Sequence, residues 1–444
     1  MRPVLLGIAI LLPVAAGAQD LQQVYRDAKS YDAQYASARY ALAAGLEKIP
    51  QGRALVLPTL NLTGNATSTR VDSYFRNSGV GPTLRDVHSY GYTLSFSQPL
   101  YRPQNIASYD QAEYQVKQAE GTFGQSSQDL ILRVAQAYFD VLAAQDTLAL
   151  VRAQKAAISE QLAQAKRNFE VGTATITDTH EAQARFDLAA AQEISSQNDL
   201  DTKYRALQQI TGKEYGSLKP LRADVKLSPP NPNQMGTWVE LAEKQSYPVL
   251  IQEATQAIAA LEAKKQSAGH LPTLDFVGSY GTASQTGVAF AGFAVVSPSS
   301  INTTGVLGLQ LTLPLYQGGA INSREREAAA NLQKATEDLE NARRGSALST
   351  RQSYLAVING IAQIAALEQA LVSSQSALDS NKLGYEVGVR INIDVLNAQQ
   401  QLFSTRRDLA VARYNTITNH LRLKSAAGAL REDDLEEVNR ALAP

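Results

Sequence analysis

The stretch Thr304–Tyr316, TGVLGLQLTLPLY, places a leucine at almost every second position. Alternation with a period of two over about ten residues is typical of a β-strand with one apolar face and one polar face. A second stretch, Tyr90–Tyr101, alternates in the same way. Both are close to the length that a membrane-spanning strand needs. We therefore expect transmembrane strands, and the alternative is a pair of hairpins in a soluble sheet.

Each of these strands has a predicted partner that precedes it in the chain. The four strands are expected at about 57–69, 89–101, 271–283 and 304–316, with long polar loops inside each pair. The second pair lies in a stretch of about 48 residues, 276–323, that has no charged side chain. Its Gly, Ser and Thr content favours strands over a spanning helix.

The chain also repeats itself at an offset of about 215 residues. Three short sequence motifs recur in the same order, and this order is unlikely to arise by chance in Ala-rich helices. The pairs are Leu57–Leu60 with Leu271–Leu274, Pro99–Tyr101 with Pro314–Tyr316, and Phe169–Gly172 with Tyr385–Gly388. We therefore predict a tandem duplication.

The predicted domains follow from this repeat and from the N-terminus. An apolar run of about 13 residues ending in Ala-Gly-Ala indicates a secretory signal peptide over 1–18. The first repeat is expected at 19–220 and the second at 237–430, with a linker at 221–236 and a C-terminal tail at 431–444.

Each repeat also contains a predicted helical hairpin, at about 103–211 and 320–427. A continuous helix from about 103 to 169 would be on the order of 100 Å long. Apolar residues recur every seven positions, which is typical of coiled coils. The hairpins turn at Val171-Gly172 and Val387-Gly388, and Asp178 with Glu181 resembles a capping box that starts the next helix.

Four strands cannot close a barrel, and unpaired strand edges are costly in lipid. Copies of the chain must therefore share one barrel. Two copies give eight strands, whose lumen is filled by side chains, whereas three give twelve strands and room for an aqueous passage. The predicted fold class is mostly α within α+β. It is a homotrimer with a 12-stranded barrel continuous with a 12-helix α-helical barrel.

Composition excludes several functional classes. The 41 Lys and Arg balance 42 Asp and Glu, which disfavours a basic nucleic-acid groove. The chain has no cysteine, so it can form neither a disulfide nor a thiolate metal site. Its four histidines are scattered without metal-ligand spacing. We expect no enzyme activity, no cofactor and no metal.

Together these sequence motifs resemble those of the TolC family of outer-membrane export channels. The resemblance is most specific in Val387–Leu396, VGVRINIDVL, and continues through Ala412–Tyr414 and Leu423–Gly428. It implies a homotrimeric duct in outer-membrane lipid that extends into the periplasm. A periplasmic adaptor and an inner-membrane ABC or proton-driven transporter would dock on its far end. Such a channel serves type I protein secretion or multidrug efflux.

The resemblance also implies roles for particular residues. Asp394 matches a ring of aspartates at the periplasmic constriction, and Asn397 stands where a second acid can occur. Asp178, Tyr385 and Arg390 match a latch that holds the two hairpins together.

Both Val-Gly turns are candidates for adaptor docking, through Val171, Gly172, Val387 and Gly388. Two alternatives for the whole chain need no adaptor. One is a passive porin, although strands make up only a small part of the sequence. The other is a structural periplasmic coiled coil, which would have no use for alternating strands.

Overall fold

The computed structural model describes residues 18–74, 83–222, 225–287, 289–291, 294–296 and 299–443. Its helices are α1 (Leu21–Tyr31), α2 (Ala33–Leu46), α3 (Lys48–Ala54), α4 (Pro103–Glu170), α5 (Ile176–Thr211), α6 (Met235–Gln245), α7 (Tyr247–Ser267), α8 (Ala320–Glu386), α9 (Asn392–Ala426) and α10 (Asp433–Arg440). Its strands are β1 (Thr59–Ser73), β2 (Thr83–Tyr101), β3 (Thr273–Gly287), β4 (Ala289–Ala291), β5 (Ala294–Val296) and β6 (Ser299–Thr312). The predicted signal peptide lies outside the described residues except for its last position, 18.

The chain divides into two compact units, and each takes segments from both halves of the sequence. The strand unit consists of Leu42–Glu120 and Ile251–Glu340. The helix unit consists of Met1–Ala41, Gly121–Leu250 and Asn341–Pro444. This division differs from the predicted tandem repeats, which therefore stay a prediction.

The strand unit is built on a four-stranded antiparallel sheet in the order β1-β2-β3-β6. Two hairpins, β1–β2 and β3–β6, join where β2 pairs with β3. Strands β1 and β6 are the edges, so their outer backbone groups have no partner within this sheet. The short pair β4–β5 lies between β3 and β6 in the chain.

The register gives the sheet two chemically different faces. Leu62, Leu94 and Tyr280 lie side by side on one face, and β6 adds leucines such as Leu307, which is 79 % exposed. The other face carries Ser, Thr, Asn and Gly. Its rows include Thr63, Thr93, Gly281 and Thr304, and Asn65, Gly91, Ala283 and Asn302. An apolar face this exposed calls for a non-aqueous neighbour.

The strands differ from the predicted bounds. β1, β2 and β3 extend into the predicted polar loops, to Ser73, from Thr83 and to Gly287. β6 ends at Thr312 and not at 316. Pro314 has no amide hydrogen to donate to a ladder, which accounts for the early end.

A buried ion pair ties the base of the sheet to the start of α4. Arg102 Nε and Nη2 donate to the two carboxylate oxygens of Asp275, at 2.7 and 2.6 Å. The side chain of Asp275 is 6 % exposed, and that of Arg102 is 41 % exposed. Such a two-pronged contact fixes the direction in which the helix leaves the strand.

The core of the helix unit is centred on α4. Tyr138, Phe139, Leu142 and Leu421 are buried in a cluster that also includes residues of α1, α5 and α10. Inside it, the hydroxyl of Tyr414 donates to Asp146 Oδ2 at 2.7 Å. Burial raises the pKa of Asp146 above its ordinary value.

Residues 431–443, which lie in the predicted C-terminal tail, pack against this core. Its helix α10 buries Leu435 completely. Leu442 bridges to Leu221, and Glu432 accepts hydrogen bonds from Tyr25 and Lys29 of α1. The two ends of the described chain are thus packed together by contacts between residues about 400 positions apart.

The ion pairs Arg133–Asp32 and Lys29–Glu432, which join the α1 region to α4 and to the start of α10, should weaken in acid. Hydrogen bonds from Arg133 and Lys29 lower the pKa values of Asp32 and Glu432, respectively. A carboxyl whose native pKa is lowered stabilises the fold above its unfolded pKa and loses that contribution as the pH falls through the native pKa. Asp146 acts in the opposite sense, because its pKa is raised.

We expect the melting temperature in detergent, measured by circular dichroism, to fall as the pH is lowered from about 6 to about 3. The lower limit is below the ordinary pKa values of Asp and Glu. Lys29→Met should make this slope shallower, because Glu432 then loses the partner that lowers its pKa. An unchanged slope in Lys29→Met would contradict this origin of the acid sensitivity.

Helix α8 contains a largely exposed stretch of 18 residues that is long and apolar enough to cross a membrane. Core helices of soluble proteins can have the same length and composition. Leu348, Leu355 and Val372 are exposed along this helix.

Candidate functional site at the helix turns

The two hairpins of the helix unit turn through matching backbone structures. Gly172 and Gly388 have φ of 76° and 79°, a region that favours glycine. In the first turn the amides of residues 173 and 174 both donate to the carbonyl of Asn168. In the second turn the amides of residues 389 and 390 both donate to the carbonyl of Gly384. The repeated sequence Glu-Val-Gly therefore adopts the same turn in both hairpins.

Neither turn glycine is needed for close packing against the described part of the chain. Among those residues, no heavy atom lies within 4 Å of a Cβ atom built on Gly172 or Gly388. The neighbouring valines are also open to solvent, with Val171 72 % and Val387 64 % exposed. Further apolar side chains, Ile176, Val389 and Ile391, are exposed beside them. Each turn thus presents a small apolar surface.

The helices that follow the two turns begin differently. In α5, Thr175 accepts a hydrogen bond from the amide of Asp178, whose carboxylate accepts from the amide and hydroxyl of Thr175. This capping box starts at Thr175, not at the predicted Asp178 with Glu181. The N-cap of α9 is Ile391, which has no side-chain cap bond. The start of α9 is therefore held less firmly.

A buried amide also weakens the start of α9. Asn392 is 1 % exposed, yet neither its Oδ1 nor its Nδ2 has a hydrogen-bond partner among the described residues. The same holds for Oε1 of Gln399, seven residues later. Unpaired buried polar atoms cost stability, so this end of the hairpin is poorly fixed by its own chain.

The predicted latch residues do not all meet. The Asp178 carboxylate is bonded to Thr175 in its own helix, whereas Arg390 lies 3.7 Å from Asp394, four residues along its own hairpin. Tyr385 does reach the other hairpin, because its hydroxyl accepts a hydrogen bond from Asn168 Nδ2 at 3.2 Å. Asn168 was not expected to take part. The latch role of Asp178, Tyr385 and Arg390 stays a prediction.

Asn397 is engaged by a residue that the sequence analysis missed. Arg185 on α5 donates to Asn397 Oδ1 at 2.9 Å and to Gln400 Oε1 at 2.8 Å. These bonds join α5 to α9. An arginine inside an Ala-rich helix gave no signal that it would reach across.

Two small apolar clusters lie behind these polar contacts. One joins α4 and α5 through residues such as Ile158, Leu162 and Ala182 and includes a single α9 residue, Leu396. The other joins α8 and α9 and contains Leu378 and Val395. Neighbouring residues of α9 therefore pack into different hairpins.

Within the described ranges, no group of three or more His, Cys, Asp or Glu residues is placed to hold a metal ion. The turns present exposed apolar side chains, a hydrogen bond between the hairpins through Asn168 and Tyr385, and the carboxylate of Asp394.

Comparisons with known proteins agree with this architecture. A family model described as outer membrane efflux protein matches residues 24–213 and 238–429. The outer membrane protein TolC of Vibrio cholerae is 36 % identical over 437 residues, which cover 97 % of this chain and 95 % of that protein. The proteases secretion protein PrtF of Dickeya chrysanthemi is 31 % identical, with 99 % and 95 % covered.

The solved structure of the outer membrane protein VceC from Vibrio cholerae has a similar fold. Its TM-score is 0.76 at 19 % identity, with 92 % of this chain and 96 % of that chain covered. Since the family model spans both halves of the sequence, the chain belongs to the outer membrane efflux protein family.

Proposed function

We propose that this chain is the outer-membrane exit channel of an export machine and that three copies form one duct. The two-faced sheet with two open edges is the observation that carries this proposal. The relatives that are named as secretion and efflux proteins support the same activity. The channel conducts proteins in type I secretion, small drugs in efflux, or both, according to its inner-membrane partner.

The apolar face of the sheet suits a lipid environment. Along β2 it runs from Tyr90 to Leu100, both more than half exposed. Ten residues at about 3.3 Å each, tilted by about 40°, cover roughly 25 Å of height, which is the height of the apolar band of a membrane barrel. Tyr92 and Tyr280 lie near one end of this band, where aromatic side chains favour the membrane interface.

The open edges support an assembly of copies. In lipid, the outer amides of β1 and β6 need partners, and the β6 edge of one copy can pair with the β1 edge of the next. Three chains then give a closed barrel of twelve strands. The exposed apolar residues of α8 offer a second surface between copies. A tandem duplication of the chain agrees with the two matches to the family model.

The turns at Val171-Gly172 and Val387-Gly388 are proposed to dock the periplasmic adaptor. Their exposed valines and open glycine surfaces leave room for a partner's backbone to approach. The energy for export comes from an inner-membrane ABC or proton-driven transporter.

Asp394 is proposed to form the periplasmic constriction, together with Asn397. Three copies of Asp394 around one axis would make a ring of carboxylates that favours cations. Because Asn397 is neutral and already bonded to Arg185, it adds no second ring of charge.

Removing this ring gives one test. In planar bilayers under a salt gradient, Asp394→Asn should lower the cation preference of the channel severalfold, as read from the reversal potential. Asp338→Asn, which removes a carboxylate paired with Lys334 in the strand unit, is the matched control and should leave the reversal potential unchanged. Equal selectivity in wild type and Asp394→Asn would rule out the ring.

A deletion strain tests the function as a whole. It should lose export of a type I secreted protein or become sensitive to drugs, and the cloned gene should restore the lost activity. Discrete conductance steps of the purified protein in a bilayer should accompany the rescue. Normal export and normal drug resistance in the deletion strain would favour an adaptor-independent porin or a structural coiled coil.

A further inference from the structure

A cleft of about 370 Å³ lies within the helix unit, between α4, α5 and α9. Its lining residues fall within 147–158, 185–192 and 396–407, and along each helix they recur at spacings of three and four. Each helix therefore contributes one face. The α9 face is about 16 Å long at 1.5 Å per residue, so the cleft is elongated. Its volume is in the range of sites for small molecules.

Much of the cleft wall is apolar. Ile158 and Leu396 line it and are 5 % and 3 % exposed. Phe403 lines it from α9, and Leu188 lines it from α5 while remaining 66 % exposed. A ligand that lies along these side chains would remove apolar surface from water, which favours binding.

The charge of the cleft is positive. Its 14 lining residues include two arginines and no Asp or Glu. Arg407 is compensated by Asp408, to which its Nε and Nη2 donate at 3.1 and 2.9 Å. Arg185 instead donates to two neutral amide oxygens, those of Asn397 and Gln400, and forms no ion pair among the described residues.

Arg185 therefore has both charge and donors to spare. A guanidinium carries five N–H groups, and these contacts use two of them. The carboxylate of Glu193, next to the lining residue Gln192, accepts from Arg152 and Lys155 instead. An anion at Arg185 would thus gain a charge-assisted contact without displacing a carboxylate of the chain.

We propose that this cleft binds a small amphipathic anion, a molecule with one alkyl chain and one carboxylate or sulfonate group. Arg185 holds the anionic group through its unused N–H groups, and the chain lies against Ile158, Leu396 and Phe403. The ligand is a free molecule and not a membrane lipid, because a phospholipid with two long acyl chains is larger than the cleft. This inference does not depend on the channel proposal.

Equilibrium dialysis with decanoate tests the site, with the purified protein held in a non-ionic amphipol so that no micelles compete. Wild type should bind about one decanoate per chain, with a dissociation constant on the order of 0.1–1 mM for a ligand of this size. Arg185→Gln should weaken binding about tenfold or more. Arg152→Gln, which removes a charge paired with Glu193, is the matched control and should bind as wild type.

The neutral analogue decanol separates the two parts of the interaction. It has the same alkyl chain without the negative charge, so wild type should bind it about tenfold or more weakly. Its binding should not respond to Arg185→Gln. If decanol binds as tightly as decanoate, the cleft takes up apolar chains without regard to charge, and the proposal fails.

Filling the cleft gives a blocked form of the protein. Ser404 lines the cleft and makes only a 3.4 Å hydrogen bond to Asp408, so Ser404→Phe should fill it without breaking a strong contact. Gln154→Trp fills it from α4 and serves if Ser404→Phe does not fold. Decanoate should raise the melting temperature of wild type and not that of the blocked form, which also supplies the background of the dialysis.

A photoreactive decanoate with a diazirine at the chain end locates the site. Mass spectrometry should find its adducts on peptides from 147–158, 185–192 and 396–407, and these adducts should be absent in the blocked form. Adducts elsewhere, or equal decanoate binding in wild type and the blocked form, would overturn the proposal. Displacement of decanoate by soluble dihexanoyl phosphatidylglycerol would assign the cleft to lipid instead, and that result would contradict it too.

Discussion

Arg102→Ala is expected to lower the melting temperature of the protein in detergent by roughly 2–4 °C. The substitution leaves the Asp275 carboxylate in a site where only 6 % of its side chain is exposed, without either of the bonds that now compensate its charge. Breaking one side of a buried pair costs several kcal/mol, and the partial exposure of Arg102 reduces this to about 2–4 kcal/mol.

The chain contains a matched control for this experiment. Arg70 and Asp86 form the same two-pronged contact between β1 and β2, but their side chains are 67 % and 44 % exposed. Arg70→Ala should therefore lower the melting temperature much less than Arg102→Ala. Circular dichroism melting of both variants measures the difference.

A double variant identifies the cause. In Arg102→Met with Asp275→Leu no charge remains buried, so most of the lost stability should return. If the double variant melts as low as Arg102→Ala, the orientation given by the ion pair, and not the stranded carboxylate, accounts for the loss. If Arg102→Ala melts like wild type, the pair does not stabilise the junction at all.

The second large effect is expected at the turns. Replacing Gly172 and Gly388 together by asparagine should reduce export by on the order of tenfold or more, since a side chain would occupy the surface offered to the adaptor. Folding should survive, because asparagine accepts positive φ at small cost and both sites face open space. Export assays in the deletion strain, with the amount of protein in outer-membrane fractions, measure the two effects separately.

Gly318 and Gly319 provide the control for backbone strain. They also have positive φ, 60° and 79°, and no atom near a built Cβ, but they lie between β6 and α8. Asparagine at both positions should leave export intact. Loss of export in this control as well would point to backbone strain. Normal export in the Gly172 and Gly388 variant would remove the turns from the docking surface.

The sequence predicted the strands well because alternation is a local property. The leucines of β6 and the tyrosines of β2 alternate whatever they pair with. Strand ends were harder, because they depend on the partner. β3 continues to Gly287 because β2 extends beside it through Val87.

Long-range contacts account for the other differences. Nothing within 431–444 indicates that Leu435 is buried, since most of the cluster that it joins comes from α1, α4, α5 and α9. Likewise, Arg185 looks like any solvated arginine until α9 is placed beside it. Thr175 was visible in the sequence as a capping residue, and weighing its hydroxyl would have located the start of α5 correctly.

The polar face of the sheet would affect any cargo that passes through the proposed barrel. Between the Thr67 row and the Asn61 row its side chains are hydroxyls, amides, methyl groups and hydrogens, without one ionisable group. In the proposed barrel such a wall has no fixed charge to detain an acidic or a basic passenger. The wall would therefore attract neither a positively nor a negatively charged polypeptide. Selection among cargoes would then have to take place before they reach the barrel.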